Sequence, residues 1–157
     1  YLHIKYMNYS LSSYDKQVFI SLSIISIITF TYDTFYSDVS ECLKNTKTNN
    51  CKVAVVIINF IHHFMSVFGL FGWLFNNKIL LFIYISLVIM TVLQWKITGG
   101  DCIVTKCIAI LSDTPKYTRF NDLYRIMNLR KFIKPKILYY GSLSAFVAVA
   151  IYKLFVL

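Results

Sequence analysis

The run from Val53 to Phe75 contains no Asp, Glu, Lys or Arg over 23 residues. Coiled as a helix it is about 34 Å long, enough to cross a hydrocarbon core of about 30 Å. Three more stretches resemble it: Gln17 to Tyr32, Ile79 to Trp95, and Ile137 to Leu157, the last interrupted only by Lys153. Together they take up half of a 157-residue chain and leave little from which to build a water-facing surface. Composition agrees, with 57% hydrophobic residues, 15% charged and a mean hydropathy of +0.61. Soluble domains carry about 25% charged residues. Disorder would need low hydrophobicity. Collagen-like and disulfide-scaffold classes fail on five Gly, two Pro and four Cys.

The expected fold is therefore an all-α, polytopic membrane protein, one membrane domain with spans at about 17–32, 53–75, 79–95 and 137–157. The first stretch is Ile-rich, which suits strands, but its length and lack of alternation favour a helix. Sixteen residues reach only about 24 Å. Asp15, Lys16 and Asp33 should then sit at the headgroups, or the helix should extend into Tyr14. Without a preceding basic run or a small-residue cleavage pattern, it reads as a span before a signal peptide. Asn76-Asn77 before Lys78 leaves room only for a very short turn, so spans two and three should form a tight antiparallel hairpin. Trp73 and Trp95 fall near helix ends, where amphipathic rings favour the interface.

After Trp95 the chain breaks at Lys96-Ile-Thr-Gly-Gly-Asp101. Cys102 to Leu111 is too short to span, which predicts a partly buried or interfacial segment. Asp113-Thr-Pro115 reads as a helix start. From there to Lys134 the pattern is basic and amphipathic, with Phe120, Leu123, Tyr124, Met127 and Phe132 along one side. A helix over about 114–134 should lie in the headgroup plane, ending before Pro135.

Sixteen Lys and Arg against seven Asp and Glu give +9. Nine of the sixteen lie between Lys96 and Lys136. With four spans, the first loop (Lys44, Lys47, Lys52) and the basic third loop share a side, which the positive-inside rule assigns to the cytoplasm or its equivalent. Lys116, Arg119, Arg125, Arg130, Lys131, Lys134 and Lys136 are the expected contacts to lipid headgroups or a protein partner. Interleaved aromatics favour a membrane surface over nucleic acid.

Few residues offer chemistry. His62 and His63 fall mid-way along the second span, where a polar ring is expensive without a partner. Adjacent helical residues point about 100° apart, so the two cannot grip one metal as an i, i+4 pair does. The expected role is a hydrogen bond across the hairpin, with Asn59, Gln94 or Thr91 as partner; a proton relay is the alternative. No metal and no cofactor is expected. Ser66, Gly69 and Gly72 on the second span, and Gly141, Ser144, Ala145 and Ala148 on the fourth, have the spacing of close helix packing, within the chain or in a homo-oligomer. Asn8-Tyr-Ser10 matches a glycosylation sequon. Nucleotide-binding glycine motifs, a nucleophile elbow and paired intramembrane carboxylates are missing from the sequence.

The cysteines fall in two pairs, Cys42 with Cys51 and Cys102 with Cys107. In length, four spans and a loop cysteine pair the chain resembles the vitamin K epoxide reductase family. It departs at the redox centre, where that family has C-x-x-C and this chain has Cys102-Ile-Val-Thr-Lys-Cys107. Both pairs fall on the side expected to be reducing, where free thiols prevail. Cys102 and Cys107 are read as buried small hydrophobes, a disulfide or a redox-active pair.

A second resemblance rests on His62-His63-Phe64, Gly69, Gly72-Trp73, Trp95 and Gly99-Gly100-Asp101-Cys102-Ile103-Val104-Thr105. This block, less than a third of the chain, resembles small integral membrane proteins of large nucleocytoplasmic DNA viruses and a bacterial family with a similar pattern. It departs at Gln94, where the pattern has His beside the Trp. The resemblance implies a viral inner-membrane component and carries over no catalytic residue. The expected function is structural: a small virion membrane protein linking the bilayer to a capsid or other membrane proteins. A membrane thiol-disulfide oxidoreductase and an accessory subunit of an organellar complex are the alternatives.

Overall fold

The computed structural model describes residues 11–36, 38–100, 102–114, 131–132 and 135–157. Among them every regular element is helical: α1 (Ser13–Tyr36), α2 (Asp38–Asn45), α3 (Asn49–Phe71), a 3-10 turn (Gly72–Leu74), α4 (Lys78–Ile97), α5 (Ile103–Leu111) and α6 (Pro135–Val156). Of these, α1, α3, α4 and α6 are long and apolar enough to cross a membrane. The amphipathic segment expected over 114–134 lies, apart from Thr114, Lys131 and Phe132, outside the described residues. So do Asn8, Ser10, Lys116, Arg119, Arg125, Arg130 and Lys134, as does the side chain of Lys136.

Local chemistry sets where each helix begins. Ser12 and Asp15 cap α1 reciprocally: the Asp15 amide donates to Ser12 Oγ at 3.0 Å, and the Ser12 hydroxyl donates to Asp15 Oδ2 at 2.6 Å. This starts the helix four residues before Gln17. Thr48 Oγ1 accepts from the Cys51 amide and starts α3 ahead of Val53. Asn77 Oδ1 accepts from the amides of Ile79 and Leu80 at the head of α4. Pro135 opens α6 from a first-turn position, where its missing N–H costs nothing.

The long helices alternate in direction. One end of the bundle gathers the start of α1, the α3–α4 connection and the end of α6. Here Asp15 Oδ1 accepts from the amides of Asn76 (2.7 Å) and Asn77 (3.3 Å), while Lys153 Nζ donates to the carbonyls of Trp73, Leu74 and Phe75 at 3.2, 3.0 and 2.6 Å. Two charged side chains thus satisfy both polarities of backbone group left over where α3 stops. The opposite end holds α2, α5 and the start of α6. Val39, Cys42, Val55 and Ile108 pack there, and Lys47 Nζ meets Asp113 Oδ2 at 3.1 Å on the surface. The first loop and the start of the third therefore lie together.

The tight α3–α4 hairpin needs correcting. The two helices are joined by a short connection, but α3 packs chiefly on α1 and α5, and α4 on α6. The reason is polar matching. Asn59 and His63 of α3 find their partners on α1, whereas Thr91 of α4 bonds back to its own Leu87 carbonyl. Large rings hold α6: Trp73 stacks on Phe146 at 5.4 Å, and Trp95 meets Tyr139 and Tyr140 edge-on, each at 5.9 Å. Consequently the small-residue face of α6 does not pack inside the bundle. Gly141, Ser144, Ala145 and Ala148 are exposed, while Leu143 and Ala150 are buried. Just past the end of α3, Gly72 does serve close approach, since a Cβ there would meet the Tyr84 ring at 2.5 Å. Gly69 is buried but has open space where a Cβ would stand, and Ser66 is half-buried.

The core between the helices is apolar, built on Val67, Phe68, Phe75, Leu81, Tyr84 and Val88, but the polarity of α1 runs opposite to that of a soluble helix. The buried residues of α1 are Asp15, Leu22, Ser26, Thr29, Asp33 and Thr34, five of them polar. Its exposed residues include Phe19, Ile20, Ile24, Ile27 and Ile28. On α4, Phe82, Ile83, Ile89, Met90 and Leu93 are exposed, and on α6 Val149, Ile151 and Phe155.

Candidate functional site

The polar residues that α1 turns inward meet α3 in one cluster. Thr29, Asp33 and Thr34 occupy one stripe of α1, at helical i, i+4 and i+5 spacing. Asn59 and His63 share a face of α3 at i, i+4. Because the helices are antiparallel, Thr34 meets Asn59 while Thr29 and Asp33 meet His63. Asn59 Nδ2 donates to Thr34 Oγ1 at 3.4 Å, His63 Nδ1 lies 3.1 Å from Thr29 Oγ1, and His63 Nε2 lies 3.1 Å from Asp33 Oδ2. Asp33 and Asn59 are 0% exposed and His63 1%. The Phe30 ring closes the cluster edge-on to His63.

Both ring nitrogens of His63 are engaged by α1: Nδ1 by the Thr29 hydroxyl, which also lies 3.1 Å from the Ser26 carbonyl, and Nε2 by the Asp33 carboxyl. A buried acid hydrogen-bonded to a buried base is an arrangement that an apolar interior tolerates.

This corrects two expectations. Asp33 is a buried partner within a 24-residue helix, not the residue that ends it. The histidine bond runs to α1 and not across the α3–α4 connection. Gln94 is spent locally, its Nε2 donating to Thr98 Oγ1 on the same helix end at 3.1 Å. Asn59 bonds Thr34, and among the described residues its Oδ1 has no hydrogen-bond partner. The carboxyl was missed because it follows Tyr32 at the end of a charge-free run. The signal for it lay in the period: Ser26, Thr29 and Asp33 stand at i, i+3 and i+7, one polar stripe along the helix.

His62 turns elsewhere, about 100° around α3. Its Nε2 lies 3.4 Å from Cys102 Sγ. Cys102 is the N-cap residue of α5, reached through Gly99 and Gly100 at φ 73° and 99°, backbone values that L side chains rarely adopt. The turn brings the chain back against α3, and α5 then runs along it. Cys107 is exposed, which corrects its reading as a buried hydrophobe; Cys51 is half-buried; Cys42 is buried and accepts from the Thr114 hydroxyl at 3.3 Å. All four are free thiols. Among the described residues no group of three His, Cys, Asp or Glu is arranged to hold a metal ion. Lys131 is exposed.

No protein family, curated protein sequence or solved structure matches this chain. Its functional reading rests on its own geometry.

Proposed function

We propose that the chain is a four-span integral membrane protein with a structural role, linking a bilayer to protein partners through its basic end. The observation that carries the membrane assignment is the inverted polarity of α1, with carboxyl, hydroxyls and the α3 imidazole inside and Ile and Phe outside. In water this arrangement would expose apolar surface on every long helix and bury the groups that water solvates best. In lipid both features are favourable. Helix association there has no hydrophobic driving force of its own, so interhelical bonds such as His63–Asp33 contribute specificity.

The basic end supports the linking role. Lys44, Lys47, Lys106 and Lys131 are exposed, and the sequence adds the cations between Lys116 and Lys136. Positive residues at that level suit the cytoplasmic-equivalent face and anionic headgroups or an acidic protein surface. The resemblance around His62 to Thr105 makes the inner membrane of a virus the setting of this reading, with capsid proteins, neighbouring membrane proteins or a second copy as partners. The test is cross-linking from lysines in the intact membrane after the chain has resisted alkaline extraction. The structural reading expects Lys44, Lys47 and Lys106 to link to one recurrent protein, or to a second copy. Release by alkali, or lysines that link to no protein, would contradict it.

A further inference from the structure

We infer that the buried polar cluster between α1 and α3 binds a monovalent cation of sodium's size, held by oxygens of Asn59, Thr34 and Asp33. The observation that points to a ligand is the Asn59 side chain. It is 0% exposed, its Nδ2 donates to Thr34 Oγ1, and its Oδ1 accepts no hydrogen bond among the described residues. A buried amide oxygen left without a partner carries its full desolvation cost. An ion or a donor at that oxygen removes it.

Two features of the surroundings make the missing partner positive. Asp33, also 0% exposed, stands beside Thr34 in the last turn of α1, and that turn contains no Lys or Arg. A helix C-terminus carries partial negative charge, so the carboxyl and the end of α1 add to a negative potential that a water molecule would not neutralise. Inside membrane bundles, helix C-terminal ends are where alkali ions are held, and ionisable side chains mark ion sites. His63 Nε2, 3.1 Å from Asp33 Oδ2, fixes the carboxyl in place.

The donor set selects the ion. Carboxyl, amide and hydroxyl oxygens are hard ligands, unsuited to zinc or copper. A single carboxylate balances one positive charge and would leave a divalent ion uncompensated in an apolar interior. Such an ion needs no group of three His, Cys, Asp or Glu. Packing favours a small one, since Asp33 and Asn59 are fully buried and Thr34 is 8% exposed. Thr34 is also within a turn of Tyr36, where α1 ends, so the ion enters from the α1–α2 turn and not through hydrocarbon.

The test uses the purified full chain in lipid nanodiscs, exchanged into choline chloride and equilibrated at length with radioactive sodium. Saturable, stoichiometric binding is expected. Replacing choline by sodium at constant ionic strength should raise the melting temperature by a few degrees. Asn59→Leu removes the unpartnered oxygen at similar volume. It should melt no lower than the parent in choline, while sodium binding and the sodium-dependent rise both vanish. Asp33→Asn keeps the shape, removes the charge and should abolish binding too. Thr91→Val, at a hydroxyl that bonds within α4, should bind as the parent does. Folded parent protein that binds no sodium would overturn the proposal and leave Asn59 to a buried water. So would sodium binding that persists in Asn59→Leu or in Asp33→Asn. None of these outcomes bears on alkaline extraction or cross-linking, so the two proposals fail separately.

Discussion

Replacing His63 and Asp33 by leucine, singly and together, separates a specific pair from a merely tolerated one. His63→Leu leaves a carboxyl at a position with no access to water. Removing one member of a buried, hydrogen-bonded acid–base pair costs roughly 3–5 kcal/mol. Asp33→Leu is milder. The imidazole keeps its contact with Thr29 Oγ1, so the loss is that of one interhelical hydrogen bond, about 0.6–1.7 kcal/mol in membrane helices. In the double variant neither group remains, two leucines fill similar volume, and Thr29 keeps its bond to the Ser26 carbonyl. Stability should return to within about 1 kcal/mol of the parent, a coupling of about 4 kcal/mol. Reversible unfolding in mixed micelles, followed by far-ultraviolet circular dichroism against detergent mole fraction, measures all four proteins. Additive losses, or single variants both within ~0.5 kcal/mol of the parent, would refute a coupled His63–Asp33 pair.

Gly72→Ala would place a Cβ 2.5 Å from the fully buried Tyr84 ring and should lower stability by about 1–3 kcal/mol; Gly141→Ala, with open space at its Cβ, should be neutral or stabilising by up to about 1 kcal/mol, both read from thermal melts in detergent. Lys153→Met removes the donor to three carbonyls at the end of α3. It should cost about 1–3 kcal/mol, with faster amide exchange at Asn76 and Asn77 as the local sign. In a background with the cysteines changed to serine, single cysteines at Lys47 and Asp113 should react with a membrane-impermeant maleimide from one side, and those at Lys16 and Lys78 from the other.

The long helices were legible because a charge-free run of fixed length has one economical structure in lipid, and composition excluded the alternatives. Their ends were less so. Ser12–Asp15 and Thr48 lie outside the apolar runs, and each adds about a turn through a cap that hydropathy does not register. Pairing was the largest miss. Sequence proximity favoured α3 with α4, but α3 is held by Asn59 and His63, whose partners stand 25 and 30 residues upstream in sequence. His63 was marked as needing a partner, and that reasoning held; its acid was hidden by treating Asp33 as the end of a span. The small-residue spacing of α6 left two readings open, packing within the chain and packing in a homo-oligomer, and the exposed face excludes only the first. Spacing identifies a face but not its occupant, and Trp73 and Trp95 recruit the aromatic face.

The placement of the exposed apolar faces in lipid is tested most directly by spin labels placed one at a time at Ile24, Ile28, Phe82, Met90 and Ile151 in proteoliposomes. Their collision rates with oxygen, which concentrates in lipid, and with a water-soluble nickel chelate are compared by power saturation. The account predicts that oxygen dominates at all five sites, deepening toward the middle of each helix, while a label at Lys47 favours the chelate. Chelate-dominated relaxation at Ile28 and Met90 would place those faces in water and contradict it.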